Sequence, residues 1–331
     1  MRTSIIAWMG NPFFSAALSR LGYAVVRVPM PQGRLLTFDE VCAACGGVPD
    51  AAVYGDMSQS PPLDSVEDWP CLTAFHCVDA HIHSWYPAYA QCFDLCSVAL
   101  RDVIPAFLEG AFTPQQVLWL PNFAFDDIQP AAARKEWDVA FIGTVSARTT
   151  PRRKRFLDRL AMHIPGLVAQ RGDFRKLYPK ARVVLNYCEG GDLNFRVFEA
   201  LATGSCLLTP RIGHGQDDLF TDGEHLLLYD LGDVRGLVAR INDALADKQR
   251  REAIGARGLR AVNAAHRASH RAQAFASWLF SFPAPTLVAE RRLYAPALKN
   301  MLKLLYLHFA ETTPPSRLRE EYLRMGTHRR G

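Results

Sequence analysis

Two clusters of residues carry the chemistry this sequence can do. The first runs Asn186-Tyr187-Cys188-Glu189-Gly190-Gly191-Asp192-Leu193-Asn194-Phe195-Arg196-Val197-Phe198-Glu199 and continues through Ala200-Leu201-Ala202-Thr203 to Gly204. An apolar strand ends in a Gly-rich turn, Asn194 stands where a helix cap belongs, and Gly204 stands where such a helix stops. That helix start leaves free amides and a positive dipole end at the sheet's carboxyl edge, which suits a phosphate group, and Arg196 adds charge. Arg196 and Glu199 share a helical face, so one can reach phosphate while the other accepts hydrogen bonds from ribose hydroxyls. The plain alternative is a surface ion pair of little consequence.

The second cluster is Phe75-His76-Cys77-Val78-Asp79-Ala80-His81-Ile82-His83, titratable groups directly after an apolar strand, where ligands of α/β proteins bind. Its plain alternative is a helix-capping aspartate beside exposed histidines. His76, His81 and His83 lack a zinc-ligand spacing, so no metal is expected there. His214, between Gly213 and Gly215, lies in a loop that could touch a ligand or simply turn. In Arg152-Arg153-Lys154-Arg155 at most one member should face phosphate, the rest being a solvated helix start.

The elements needed to position these groups follow from the pattern. Short apolar runs at 4–9, 24–28, 51–54, 72–77, 95–100 and 117–120 alternate with helical or turn-like stretches, as in a buried parallel sheet. Thr37-Phe38-Asp39-Glu40 is a capping box that starts a helix to about Cys45. Residues 121–130 lose periodicity and read as a link. A second alternation follows, with strands at 139–143, 167–170, 183–187, 205–209 and 226–229, helices at 151–162 and 194–203, two more over 233–265 and a third over 266–280. Two strand-helix alternations predict two Rossmann-like domains facing a central cleft.

Composition narrows the classes. At 331 residues, two domains are the prior, and 49% hydrophobic with 21% charged residues describes an ordinary folded protein. Thirty-eight basic against 33 acidic residues gives +5, suited to phosphate-bearing small molecules and too mild for nucleic acid. No apolar run reaches the ~20 residues of a bilayer span, no signal peptide is visible, and a cytoplasmic protein is expected. The eight cysteines are expected as buried thiols; zinc held by Cys42, Cys45, Cys92 and Cys96 is the alternative. The basic, apolar segment 291–309 is expected to pack across the first domain or against another subunit of a homodimer, with an anionic membrane surface as the alternative.

The run from Asn194 to Gly204, the strand Leu207-Leu208-Thr209 and the stretch from Leu219-Phe220 to Tyr229-Asp230 resemble the donor domain of GT-B glycosyltransferases, nearest to the CgeB-like group. Trp137-Asp138-Val139-Ala140-Phe141-Ile142-Gly143-Thr144 with Arg148 and Arg152-Arg153, and His266-Arg267-Ala268-Ser269-His270-Arg271-Ala272, are similar as well. The resemblance spans roughly residues 70–280. It implies a GT-B fold, an acceptor-side domain over 1–126, a donor domain over 131–265, a helix at 266–280 crossing back, and a basic helical tail over 281–331.

It also implies a hexose-type transfer from a nucleoside-diphosphate sugar to a hydroxyl of a protein, glycan or lipid-linked acceptor. Glu199 would hold the ribose, Asn194 and Arg196 the sugar or diphosphate, Gly143 and Thr144 the phosphates, with Arg148, Thr209 and His214 nearby. Asp79 and His81 become candidates for the base that takes the acceptor proton. Arg148, Arg152 and Arg196 with helix dipoles would replace a metal, so no metal cofactor is expected. The sequence departs from the large retaining families, which place a second Glu eight residues before the helix Glu; here that position is Gly191, and Glu189 and Asp192 are the nearest carboxylates. A nucleotide-sugar epimerase, or a silent nucleotide-sugar-binding scaffold, are the rival readings.

Overall fold

In the computed structural model, which describes residues 3–327, the chain forms two compact units: Met1–Leu120 with Ala272–Gly331, and Pro121–Arg271. Residues 1–2 and 328–331, the outer ends of the 1–126 and 281–331 segments, lie outside the described residues.

The first unit is built on six parallel strands, β1 (Ile5–Gly10), β2 (Ala24–Val28), β3 (Ala51–Gly55), β4 (Leu72–Cys77), β5 (Leu95–Val98) and β6 (Val117–Trp119), in the order β2-β1-β3-β4-β5-β6. β3, β4 and β5 are buried along their whole length, which is why their sequences are continuous apolar runs rather than alternating ones. The chain steps outward from β1 to β2 and returns to β1's other side for β3, so the strand order reverses between β1 and β3. Backbone approaches closely at that reversal: a Cβ on Gly10, whose φ is 74°, would collide with the Gly55 carbonyl. The helix Phe38–Cys45 starts in the expected capping box, with the Glu40 amide on Thr37 Oγ1 and the Thr37 amide on Glu40 Oε2.

The C-terminal helices Ala284–Thr312 and Arg317–Thr327 belong to this unit. Arg291, part of the basic character of segment 291–309, is buried: Nε donates to Asp94 Oδ1 at 2.9 Å and the guanidinium also serves the carbonyls of Val66, Trp69 and Cys71. Leu302, Tyr306 and Ala310, spaced one turn apart further along the same helix, enter the core with Tyr322 and Met325. One face of this helix is therefore interior, while Leu293, Tyr294 and Leu304 lie exposed on the other. Among the described residues, no helix is long and apolar enough to cross a membrane.

The second unit carries five parallel strands, β7 (Trp137–Ile142), β8 (Leu167–Gln170), β9 (Ala181–Leu185), β10 (Leu207–Pro210) and β11 (Leu227–Tyr229), in the order β11-β10-β9-β7-β8. The same reversal falls between β7 and β9. Helix Pro151–Ala161 joins β7 to β8, helix Phe195–Ala202 joins β9 to β10, and helices Val234–Ala246 and Lys248–Ala265 complete the packing. Gly255 is needed where helix Lys248–Ala265 seats on the turn before β10, since a Cβ there would meet the Gly204 carbonyl.

Residues 121–130, expected as a link, are integral to this unit. Phe123, Ala124 and Ile128 are buried, Asn122 Nδ2 donates to the Leu193 carbonyl, and Arg271 Nε donates to the Pro121 carbonyl at 2.6 Å. Their partners are distant in sequence, so no local periodicity announces the packing. The chain accordingly enters the second unit at Pro121 and leaves it at Arg271, inside helix Ala268–Leu279.

Candidate functional site

At the β7/β9 reversal the second unit gathers polar groups from four segments. Asn186, buried after β9, donates through Nδ2 to Thr209 Oγ1 at 3.1 Å and to Asn194 Oδ1 at 3.3 Å, and its own carbonyl accepts from the Tyr229 hydroxyl. Arg196 reaches back over this centre, with one terminal nitrogen 3.4 Å from Asn186 Oδ1 and 3.5 Å from the Tyr187 carbonyl. Its guanidinium lies over the Phe141 ring at 5.6 Å, and that of Arg153 lies over the same ring at 5.4 Å. Two cations thus share one aromatic support beside Gly143 and Thr144, whose carbonyl accepts from Arg153 at 2.9 Å.

Glu189 sits at the start of helix Pro151–Ala161, its carboxylate accepting the amides of Arg152 and Arg153 at 3.1 and 2.9 Å. That is the arrangement an anion adopts at a helix N-terminus, so this helix start binds acidic oxygen. Burial is the largest influence on Arg153 and lowers its pKa; Arg196 lowers it further while Glu189 opposes. Arg153 is 6% exposed and its Nε has no hydrogen-bond partner.

Arg196 and Glu199 do not form the surface ion pair of the plain reading, since Arg196 turns to Asn186 and Tyr187 instead. Glu199 is half-buried, and burial raises its carboxyl to about 6 against the opposing pull of Arg196 and Arg175. Asn194 occupies the N-cap position with extended backbone, yet its side chain makes no cap: Nδ2 points at Cys188 Sγ. The expected capping role is therefore corrected, because the Asn186 centre takes this side chain and leaves the first helical turn without it.

The remaining expected residues fall in different places. Thr209 is fully buried and buttresses Asn186, so it lies beneath the surface of the site. Arg148 is exposed, and of the basic run 152–155 it is Arg153 that holds the interior position. His214 adopts φ 59°, strained for a non-glycine residue, in a loop that the buried Gln216 anchors to Ile212 and Pro210.

In the first unit, the carboxyl edge is organised by a residue the sequence reading passed over. Asp56 directly follows β3 and is 1% exposed. One carboxylate oxygen accepts the amides of Val78 and Asp79 at 3.0 and 2.8 Å, the other the Ser58 amide at 2.7 Å and the Tyr86 hydroxyl at 2.5 Å. The segment carrying Asp79 and His81 is therefore pinned at its start. The available signal was a carboxylate at the end of a wholly apolar strand beside the reversal.

His81 has a buried Nδ1 without a hydrogen-bond partner, and His83 Nε2 lies 3.0 Å from Ser58 Oγ. His76 is an interior residue, its Nδ1 2.9 Å from Ser97 Oγ and its ring against Phe13 and Phe14; burial drives its pKa down to about 3, so it is neutral. Among the described residues, no group of three or more His, Cys, Asp or Glu side chains is placed to hold a metal ion. Cys42 and Cys45 are half-buried and the other six thiols buried.

Two Rossmann-like units with parallel sheets and a helical C-terminal region make this a GT-B fold. Residues 128–277 match the family model described as glycosyl transferase-like. No curated protein matches the chain. Among solved structures, it is similar to a glycosyltransferase from Rickettsia africae ESF-5, at 8% identity over 84% of this chain and 98% of that one, TM-score 0.62. HepE of Anabaena in complex with UDP-glucose aligns at 12% identity over 84% and 100%, TM-score 0.58. S. aureus TarM, in a complex containing UDP, aligns at 8% identity over 71% of this chain and 57% of that one, TM-score 0.52, so the chain spans little more than half of TarM. Likeness at such identities establishes the fold.

Proposed function

We propose that this chain is a glycosyltransferase that takes a hexose-type sugar from a nucleoside diphosphate and passes it to a hydroxyl of a glycan, protein or lipid-linked acceptor. The observation that carries this reading is the pairing, on one helix at the β7/β9 reversal, of a half-buried carboxyl with a guanidinium that shares the Phe141 ring with a second guanidinium. Glu199 supplies acceptor oxygens for ribose hydroxyls. Arg196 and Arg153 supply positive charge for a diphosphate as it leaves. The match of residues 128–277 to the glycosyl transferase-like model, and UDP-glucose in the complex of a protein of like fold, support the same reading.

Because two guanidinia and helix amides can neutralise the leaving group, the transfer proceeds without a divalent cation in this reading. Asp79 and His81 of the first unit are the candidates for the base, with Asp56 holding their segment in place. The test is a thermal-shift panel of UDP, GDP, TDP and ADP with their sugars, each with and without EDTA. A selective shift that survives EDTA and is lost in Glu199→Ala is the expected result. No shift with any nucleotide, or a shift untouched by Glu199→Ala, overturns the assignment.

A further inference from the structure

The opposite edge of the second sheet is also basic. A cavity of about 240 Å³ opens where β7, β9 and β10 begin, lined by Lys135, Arg182, Lys248 and Arg251 with Glu252 the sole acidic side chain in its wall. These three strands are neighbours in the sheet, and Gly204, Ser205 and Cys206 complete the lining. Groups of the proposed donor site, Gly143, Thr144 and Asn186, follow the other ends of these strands.

Two of the four cations, Arg251 and Lys135, have no carboxylate in ion-pair range among the described residues. Arg251 is 8% exposed, and its side chain donates from one terminal nitrogen to the carbonyls of Ala244 and Leu245. Lys135 commits its ammonium to the carbonyls of Pro179 and Ala181, both at 2.9 Å. Burial and then the nearby Arg251 lower the Lys135 pKa, while Glu252 opposes them weakly. Cys206 responds to the same field: burial raises its thiol to about 11, and Arg251, Arg250 and Lys135 all pull the other way. Arg182 pairs with Asp138, and Lys248 meets Glu252 at 3.8 Å across an exposed surface, a weak contact.

We propose that this cavity is a second anion site, built for a phosphate group and separate from the carboxyl-edge site. A phosphate dianion matches four cations converging from three segments better than a single carboxylate does, because it offers more charge and more oxygens to share. Its occupation relieves the mutual repulsion of Lys135 and Arg251. The source is either free phosphate or the phosphomonoester of a small metabolite.

The experiment is calorimetric titration of the full chain with inorganic phosphate and, separately, glycerol 3-phosphate, at ionic strength held constant with chloride. Saturable binding is expected. Lys248→Glu weakens it about tenfold, and Glu252→Gln strengthens it about threefold, both being exposed positions whose variants keep the fold. Arg196→Ala leaves it unchanged. Tighter binding of glycerol 3-phosphate identifies a monoester site, and equal or weaker binding a free-phosphate site. The proposal is overturned by absence of saturable binding with both probes. It is equally overturned if Arg196→Ala abolishes binding while Lys248→Glu does not, since the phosphate then sits at the carboxyl edge.

Discussion

The carboxyl edges of the two sheets share a topology and differ in charge. Each lies at a strand-order reversal, β1/β3 in the first unit and β7/β9 in the second. In the first, Asp56 sits inside four donors, the amides of Ser58, Val78 and Asp79 and the Tyr86 hydroxyl, and so draws two loops and a tyrosine together. In the second, the guanidinia of Arg153 and Arg196 lie 5.4 and 5.6 Å from the Phe141 ring, beside an uncharged asparagine centre. The same backbone geometry thus presents a carboxylate hub in one unit and a cationic cradle in the other, so chemistry is set by loop residues and not by the fold.

The sharpest way to break this comparison is to remove the hub. Asp56→Ala leaves three backbone amides and a phenol without their acceptor and is expected to destabilise the protein by about 3–5 kcal/mol in urea denaturation. Nucleotide affinity, measured where the variant remains folded, should stay within about twofold of the parent, because the cradle belongs to the other unit. Equal losses of stability and affinity would merge the two edges into one site.

Next in size is the cradle itself. Arg196→Ala should cost about 2–3 kcal/mol of nucleoside-diphosphate affinity by calorimetry, since a charged hydrogen-bonding partner of phosphate is lost, with little change in melting temperature. Affinity equal to the parent's would leave the second edge without its proposed role.

Two carboxyls, one buried and one half-buried, sharpen the contrast further. Burial raises Glu67 of the first unit to about 7, from an ordinary 4.5. Its protonated form is favoured in the fold, so the associated stability is full below about pH 4.5 and is lost as pH rises to about 7. Glu67→Gln should therefore stabilise the protein more at pH 8 than at pH 5, by a difference of about 2 kcal/mol in chemical denaturation. Glu199 of the second unit, raised to about 6, should instead show its titration in binding: ribose hydroxyls favour its ionised form, so nucleotide affinity falls about tenfold from pH 7 to pH 5. Glu199→Gln should flatten that profile. An unchanged slope would remove this carboxyl from the ribose contact.

Much of this molecule was legible beforehand for a local reason. Apolar runs and capping signals report their own segment's burial, which is why all the strands, the Thr37–Glu40 capping box and helix Phe195–Ala202 could be read within a few residues of their bounds. Spacing along one helix likewise put Arg196 and Glu199 on a common face. Pairwise and long-range features could not be read this way. Asp56 looks like any loop aspartate until β4 is laid beside β3 and brings the Val78 and Asp79 amides to it.

The sequence by itself determined two strand-helix alternations and a helix carrying Arg196 and Glu199 on one face, because these depend on residues within a few turns of one another. Tertiary structure decided that Asn194 serves Asn186 instead of its helix, that Arg153 and not Arg148 lies inside, that Arg291 is a core residue on Asp94, and that four cations meet at the far edge of the second sheet. Each of those depends on strand order and on burial, which bring distant residues into one low-dielectric place where charges and donors must find partners.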